Sequence, residues 1–181
     1  VAIAPTYGMY KVCADVNDVE YRSVSLSEDW QLNPKALLAA TDSNTKVIWI
    51  CSPNNPTGND FPREVLHEVL MSFEGIVVID EAYSDFSTQQ PFRTVLDNYP
   101  NLIVLNTFSK AWASAAIRLG MAFASEEIIA LFNKVKYPYN VNLLAQEKAC
   151  ALLADRPTLD GWLVQVNRER EHVLPALAEL P

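Results

Sequence analysis

Three short apolar runs govern the middle of this 181-residue chain: Val47-Ile48-Trp49-Ile50-Cys51, Ile76-Val77-Val78-Ile79 and Leu102-Ile103-Val104-Leu105. They are rich in β-branched residues and lack polar alternation, the pattern of strands buried on both faces of a parallel sheet. Each run gives way to polar residues: Ser52-Pro53-Asn54-Asn55 after the first, Asp80-Glu81 after the second, and Asn106-Thr107 ahead of Ser109-Lys110 after the third. In open α/β sheets the ligand crevice lies outside the carboxyl ends of the strands, so these three ends are expected to converge on one site. The fold class read from this pattern is α/β with a mostly parallel sheet.

Helical patterns fill the intervals. Asp60 reads as a cap with Pro62 in the first turn, and Phe61, Val65, Leu66, Val69, Leu70 and Phe73 then make one apolar stripe before Gly75. That segment is a strand-helix-strand crossover. Asn33-Pro34 opens a short helix through Leu37 and Leu38, and Ser125-Glu126-Glu127 opens another with Ile128, Phe132 and Val135 on one face. A further pattern through Leu143, Leu144, Cys150, Leu152 and Leu153 ends near Asp155-Arg156-Pro157. A longer helical stretch follows with Trp162, Leu163 and Val166 and the alternating charges Arg168-Glu169-Arg170-Glu171, a solvated face.

Composition narrows the function classes. A half-hydrophobic chain of modest charge is an ordinary globular sequence. A net charge of −8 argues against a nucleic-acid partner, which needs a basic face to displace counterions. No apolar run reaches membrane-spanning length. Cys13, Cys51 and Cys150 are odd in number and lack close spacing, so neither a disulfide framework nor a cysteine zinc site is expected; reduced thiols fit a cytoplasmic protein. His67 and His172 have no metal-ligand partner at useful spacing and read as structural or solvated. The V-A-I-A-P start and the helix interrupted at E-L-P read as the two ends of a piece of a longer chain.

Four motifs follow one another in order: Pro5-Thr6-Tyr7, Asn54-Asn55-Pro56-Thr57-Gly58, Asp80-Glu81-Ala82-Tyr83, and Thr107-Phe108-Ser109-Lys110 with Arg118 eight residues on. In these the chain resembles the fold-type I aminotransferases, which depend on pyridoxal 5′-phosphate. The P-T-Y-G-M-Y opening, C-S-P-N-N-P-T-G and the thirty residues from Asp80 to Lys110 are similar to the histidinol-phosphate aminotransferase subfamily. The resemblance implies a three-layer α/β/α large domain over residues 1–155, incomplete at its start, and from 156 to 181 the beginning of a helix leading to a small domain. It also implies a homodimer, amino-acid and 2-oxo-acid substrates, and transfer of the amino group of L-glutamate to imidazole-acetol phosphate in histidine biosynthesis.

The residue types suit that chemistry. A transaminase needs a lysine amine to hold the cofactor covalently and to shuttle a proton at the substrate Cα, and Lys110 matches that residue. The pyridine nitrogen must stay protonated for the ring to accept electrons, which calls for a carboxylate, and Asp80 matches it. By the same resemblance, Asn55 and Tyr83 meet the cofactor's phenolic oxygen and Tyr7 stacks on the ring. Thr107, Ser109 and Arg118 match the phosphate-binding residues, Arg118 offering a planar bidentate contact. Each has a plainer reading: a solvated lysine, a common Asn-Pro-Gly turn, or strand-end capping by the hydroxyls.

Two features depart from the family. Glycines common between the lysine and the arginine are replaced by Ala111-Trp112-Ala113-Ser114-Ala115-Ala116-Ile117, which restricts the loop. The glycine-rich phosphate turn, the tyrosine crossing from a partner subunit and the arginine for the substrate carboxylate have no match within the chain, so the isolated chain is expected to be inactive. Ile76-Val77-Val78-Ile79-Asp80-Glu81 also resembles the magnesium strand of P-loop ATPases, yet none of the five glycines forms the phosphate-cradling loop. Other readings are an aromatic aminotransferase, a decarboxylase of a phosphorylated amino acid, and a catalytically silent α/β module.

Overall fold

A computed structural model describes residues 1–180. Its centre is a six-stranded sheet in the order β2-β1-β3-β4-β5-β6, formed by β1 (Ala2–Ala4), β2 (Ser23–Ser25), β3 (Val47–Cys51), β4 (Ile76–Asp80), β5 (Leu102–Thr107) and β6 (Gly120–Ala124). β1 lies parallel to both β2 and β3, and β4 is parallel to both β3 and β5. The three runs legible in the sequence are β3, β4 and β5, each within two residues of its expected end. The other three strands were not foreseen. β1 and β2 are three residues each, and Ser23-Val24-Ser25 carries one apolar side chain, too little for a pattern to show.

The helices are α1 (Met9–Val16), α2 (Pro34–Ala39), α3 (Arg63–Ser72), α4 (Glu126–Val135), α5 (Leu143–Ala154) and α6 (Arg156–Ala178). Asn33 caps α2 through its side chain, accepting from the Ala36 N–H, and Ser125 caps α4 likewise toward Ile128. α3 starts differently from expectation. Pro62 occupies its cap position and no side chain caps it, while the Asp60 carboxylate accepts a hydrogen bond from Ser87. Phe61 is fully buried just before the helix. α5 and α6 are separated by Asp155 alone, with Pro157 in the first turn of α6 where its missing N–H costs nothing.

The chain forms two compact units: Val1–Asn106 with Met121–Lys136, and Thr107–Gly120 with the residues from Tyr137 onward. In the first, Ile48 and Ile50 of β3, Val77 and Ile79 of β4, and Leu102 and Val104 of β5 face one core with Leu37 of α2 and Leu66, Val69 and Leu70 of α3. Val78 and Ile103, which point the other way, are buried too, as expected of strands covered on both faces. Trp49 shares that second face and is covered by Tyr10 of α1. In the second unit, Trp112 packs against Phe108 and under the Arg156 guanidinium, and Ala145, Ala149 and Leu159 are buried.

The end of α3 is tied to the sheet by one side chain. Asn101, just ahead of β5, donates to the carbonyls of Leu70, Phe73 and Gly75. Gly75 sits where a Cβ would fall 2.6 Å from the Phe73 ring and 2.7 Å from the Lys46 carbonyl oxygen. Backbone cannot yield there as a flexible side chain could. Gly75→Ala should therefore destabilise the fold by about 1–3 kcal/mol, read as a lower urea midpoint at unchanged slope.

Candidate active site

The order of the strands locates the site. From β1 the chain steps outward to β2 and then returns past β1 to β3, β4 and β5, so the direction of winding reverses between β1 and β3. Loops leaving the carboxyl ends of β1 and β3 splay apart at such a point and leave a crevice. Here the two loops carry Pro5-Thr6-Tyr7 and Ser52-Pro53-Asn54-Asn55.

Asn54 joins them. It is almost fully buried, its amide donates to the Pro5 carbonyl at 3.0 Å and to Thr57 Oγ1 at 2.8 Å, and its oxygen accepts from Thr6 Oγ1 at 2.9 Å. The turn closes through Gly58 N–H to the Asn54 carbonyl, with Gly58 at φ +75°, a conformation that excludes most side chains. The segment is thus a true turn, and it presents Asn55, its second residue, half-buried. The Asn55 amide reaches the Tyr83 hydroxyl at 3.4 Å, bringing together two residues expected to share one ligand oxygen.

Asp80 ends β4, in register with Cys51 on one side and Leu105 on the other. Its Oδ1 accepts the Ala82 N–H at 3.1 Å and its Oδ2 accepts the Tyr10 hydroxyl at 2.6 Å. Tyr10 is buried, stacked on Trp49 with ring centroids 5.0 Å apart and met edge-on by Tyr7 at 5.7 Å. Burial above all, then the acidic neighbours Cys51 and Asp80, push the Tyr10 phenol far above its ordinary value. The Cys51 thiol is pushed up to about 11, again chiefly by burial and then by Asp80. Both therefore remain neutral groups beside Asp80. Tyr7 is 45 % exposed beside this cluster. A cavity of about 520 Å³ opens along the Trp49 side, but Asp80, Asn55 and Tyr83 do not line it.

Glu81 and Asp85, the carboxylates that follow Asp80 most closely in the sequence, are engaged elsewhere. Glu81 is buried, accepts the Phe92 N–H, and lies 3.3 Å from Arg93. Arg93 also reaches Ser84 and lies 4.0 Å from Asp85. This knot secures the segment after β4.

On the second unit, the expected lysine and phosphate residues occupy one loop. Thr107 Oγ1 accepts the Ser109 N–H at 3.0 Å and donates to the Leu119 carbonyl at 3.2 Å, so its hydroxyl performs the capping of the plainer reading. Lys110 follows Ser109 and is exposed, and its carbonyl accepts the Ala113 N–H. Ala113 and Arg118 both adopt left-handed backbone, at φ 50° and 53°, a conformation that glycine takes most readily. The loop therefore keeps a glycine-like path with alanine in it. Arg118 is exposed, and its guanidinium donates to the Ala115 carbonyl.

Sequence reasoning missed Tyr10 and Asn54 as parts of the site. Tyr10 stands three residues after Tyr7, one helical turn on, a spacing that would have linked them had α1 been foreseen.

On the first unit, a strand-end carboxylate held by two neutral donors and an amide paired with a phenol suit a protonated pyridine ring and its phenolic oxygen; on the second, one segment carries a lysine, two hydroxyls and an arginine, groups that suit an aldehyde and a phosphate. The chain belongs to the aminotransferase class I and II family, which it matches over residues 1–180. It is 56% identical over 180 residues to histidinol-phosphate aminotransferase of Bacteroides thetaiotaomicron, an alignment covering 99% of this chain and 52% of that protein. The chain thus spans about half the length of the curated relatives it matches. The crystal structure of the histidinol-phosphate aminotransferase from Clostridium acetobutylicum superposes with a TM-score of 0.92 at 25% identity, over 99% of this chain and 55% of that one. A structure of the Sinorhizobium meliloti enzyme in complex with pyridoxal-5′-phosphate gives a TM-score of 0.86 at 22% identity, over 96% and 48%.

The Glu81 knot yields a pH prediction. Burial, its largest influence, raises the Glu81 carboxyl above its ordinary value, although Phe92 N–H and Arg93 draw it down. Between the unfolded and the raised folded value the native state holds the extra proton, so stability falls as pH rises through that window. Glu81→Gln keeps an acceptor for Phe92 but cannot titrate. Its urea midpoint should fall less than that of the parent as the pH rises from the ordinary carboxyl range, and equal falls would assign the pH dependence to other groups.

Proposed function

We propose that this chain is the cofactor-binding part of a pyridoxal 5′-phosphate-dependent aminotransferase that exchanges the amino group between L-histidinol phosphate and 2-oxoglutarate in histidine biosynthesis. The observation that carries the reading is the Asp80 carboxylate at the end of β4, oriented by Tyr10 and Ala82 on a sheet whose order reverses beside it. The names of the relatives, 43% to 56% identical, support the substrate. Bound there, the cofactor supplies an electron sink for the negative charge that develops when the substrate Cα loses its proton.

In this reading the residues of the chain divide the work. Asp80 holds the pyridine nitrogen in its protonated form by a charge-assisted hydrogen bond. Asn55 and Tyr83 donate to the phenolic oxygen, and Tyr7 covers one face of the ring. Thr107, Ser109 and Arg118 take the phosphate. Lys110 Nζ holds the cofactor covalently at rest and carries the proton to and from the substrate Cα. Residues 1–155 are assigned to the cofactor-binding domain and 156–181 to the helix leading into a second domain, the break falling at Asp155 between α5 and α6. The chain then acts within a longer polypeptide, as a cytoplasmic homodimer that supplies the remaining substrate contacts.

Borohydride reduction of the complete, cofactor-loaded protein followed by peptide mapping should label Lys110; a label on Lys46 or Lys134 would overturn the assignment. Lys110→Ala should abolish turnover. Asp80→Asn, which removes charge with little change in volume, should leave the cofactor bound and slow single-turnover proton abstraction by about a hundredfold or more. A single-turnover rate unchanged by Asp80→Asn would assign the carboxylate a structural role.

A further inference from the structure

We propose that Tyr10 is a positioning residue for Asp80, its hydroxyl fixing the carboxylate plane so that the free lone pairs face a ring nitrogen. The inference rests on the assignment of Asp80 to the cofactor nitrogen made above. An ionised carboxylate offers about four lone-pair directions and turns about two side-chain torsions. In this fold each oxygen receives one neutral donor from a different element. Ala82 N–H, two residues beyond Asp80 on the same chain segment, holds Oδ1 at 3.1 Å. Tyr10, seventy residues earlier on the first turn of α1, holds Oδ2 at 2.6 Å.

Two donors on two oxygens determine a plane, where one would leave it free to rotate. The second donor is itself immobilised. Tyr10 is 7 % exposed, its ring lies flat on Trp49 at an interplanar angle of 24° and is met edge-on by Tyr7, so its hydroxyl cannot swing away from Asp80 without breaking both ring contacts. Deep burial keeps the phenol protonated and hence a donor at all working pH values. Because Tyr7 touches Tyr10, the residue expected on the ring face and the residue aiming the carboxylate form one packed unit.

Tyr10→Phe removes the hydroxyl and keeps the ring stack, so the fold should persist with little change in melting temperature. In the complete protein carrying ring-¹⁵N-labelled pyridoxal phosphate, the nitrogen resonance should move part of the way from the parent position toward that of Asp80→Asn. The turnover number should fall by about tenfold with KM nearly unchanged, the size expected for one hydrogen bond to a charged group. Adding Tyr10→Phe to Asp80→Asn should move neither quantity further, because the hydroxyl acts through the carboxylate. If Asp80→Asn shifts the resonance while Tyr10→Phe leaves it and the turnover number in place, Tyr10 only packs and the inference fails. A Tyr10→Phe shift in the direction opposite to Asp80→Asn would also overturn it, since the hydroxyl would then temper the carboxylate's basicity without aiming it. If Asp80→Asn itself shifts nothing, the assignment of Asp80 to the ring fails, a separate result.

Discussion

The parallel ladder joining β3, β4 and β5 is the constraint on which the rest of the molecule depends. Its register sets Cys51 beside Asp80 and Asp80 beside Leu105, so the polar residues that follow each strand emerge along one edge. Strands of this kind are held by burial on both faces, and a slip of one residue would exchange Ile48, Ile50, Val77 and Ile79 in the core for Trp49 and Val78. The same slip would turn Asp80 to the opposite face. Packing of the apolar side chains and orientation of the carboxylate are thus one specification.

Above that edge, polar groups take over from apolar ones. Asn54 ties the loop after β1 to the turn after β3, Tyr10 ties α1 to the end of β4, and Glu81 with Arg93 ties the segment after β4. The first two join residues 49 and 70 positions apart and the third residues 12 apart, and each satisfies a polar group that burial would otherwise penalise.

The strongly buried parts of the fold were legible in the sequence. Val47–Cys51, Ile76–Asp80 and Leu102–Thr107 are continuous apolar runs because both their faces are covered, and Asn33 and Ser125 announce their helices through the hydrogen bonds they make. The start of α3 was misread, since Asp60 has the chemistry of a cap yet is taken by Ser87 across the fold. β1 and β2 were invisible because three-residue strands have no period. In the site, Asn55 and Tyr83 were found through a motif and do meet, whereas the Tyr10–Asp80 bond spans seventy residues and only the fold joins its ends.

Asn101 has a consequence for how the molecule holds together in time. Its one amide group serves three carbonyls, at Leu70, Phe73 and Gly75, that lie at the end of α3 and the start of β4. Those acceptors find that donor only once β5 has docked beside β4. The helix, the tight connection at Gly75 and the two strands are thereby bound into a single cooperative unit that opens all at once or not at all. The end of β4 inherits the cooperativity of that unit, so the Asp80 carboxylate is mounted on a segment that does not open piecemeal.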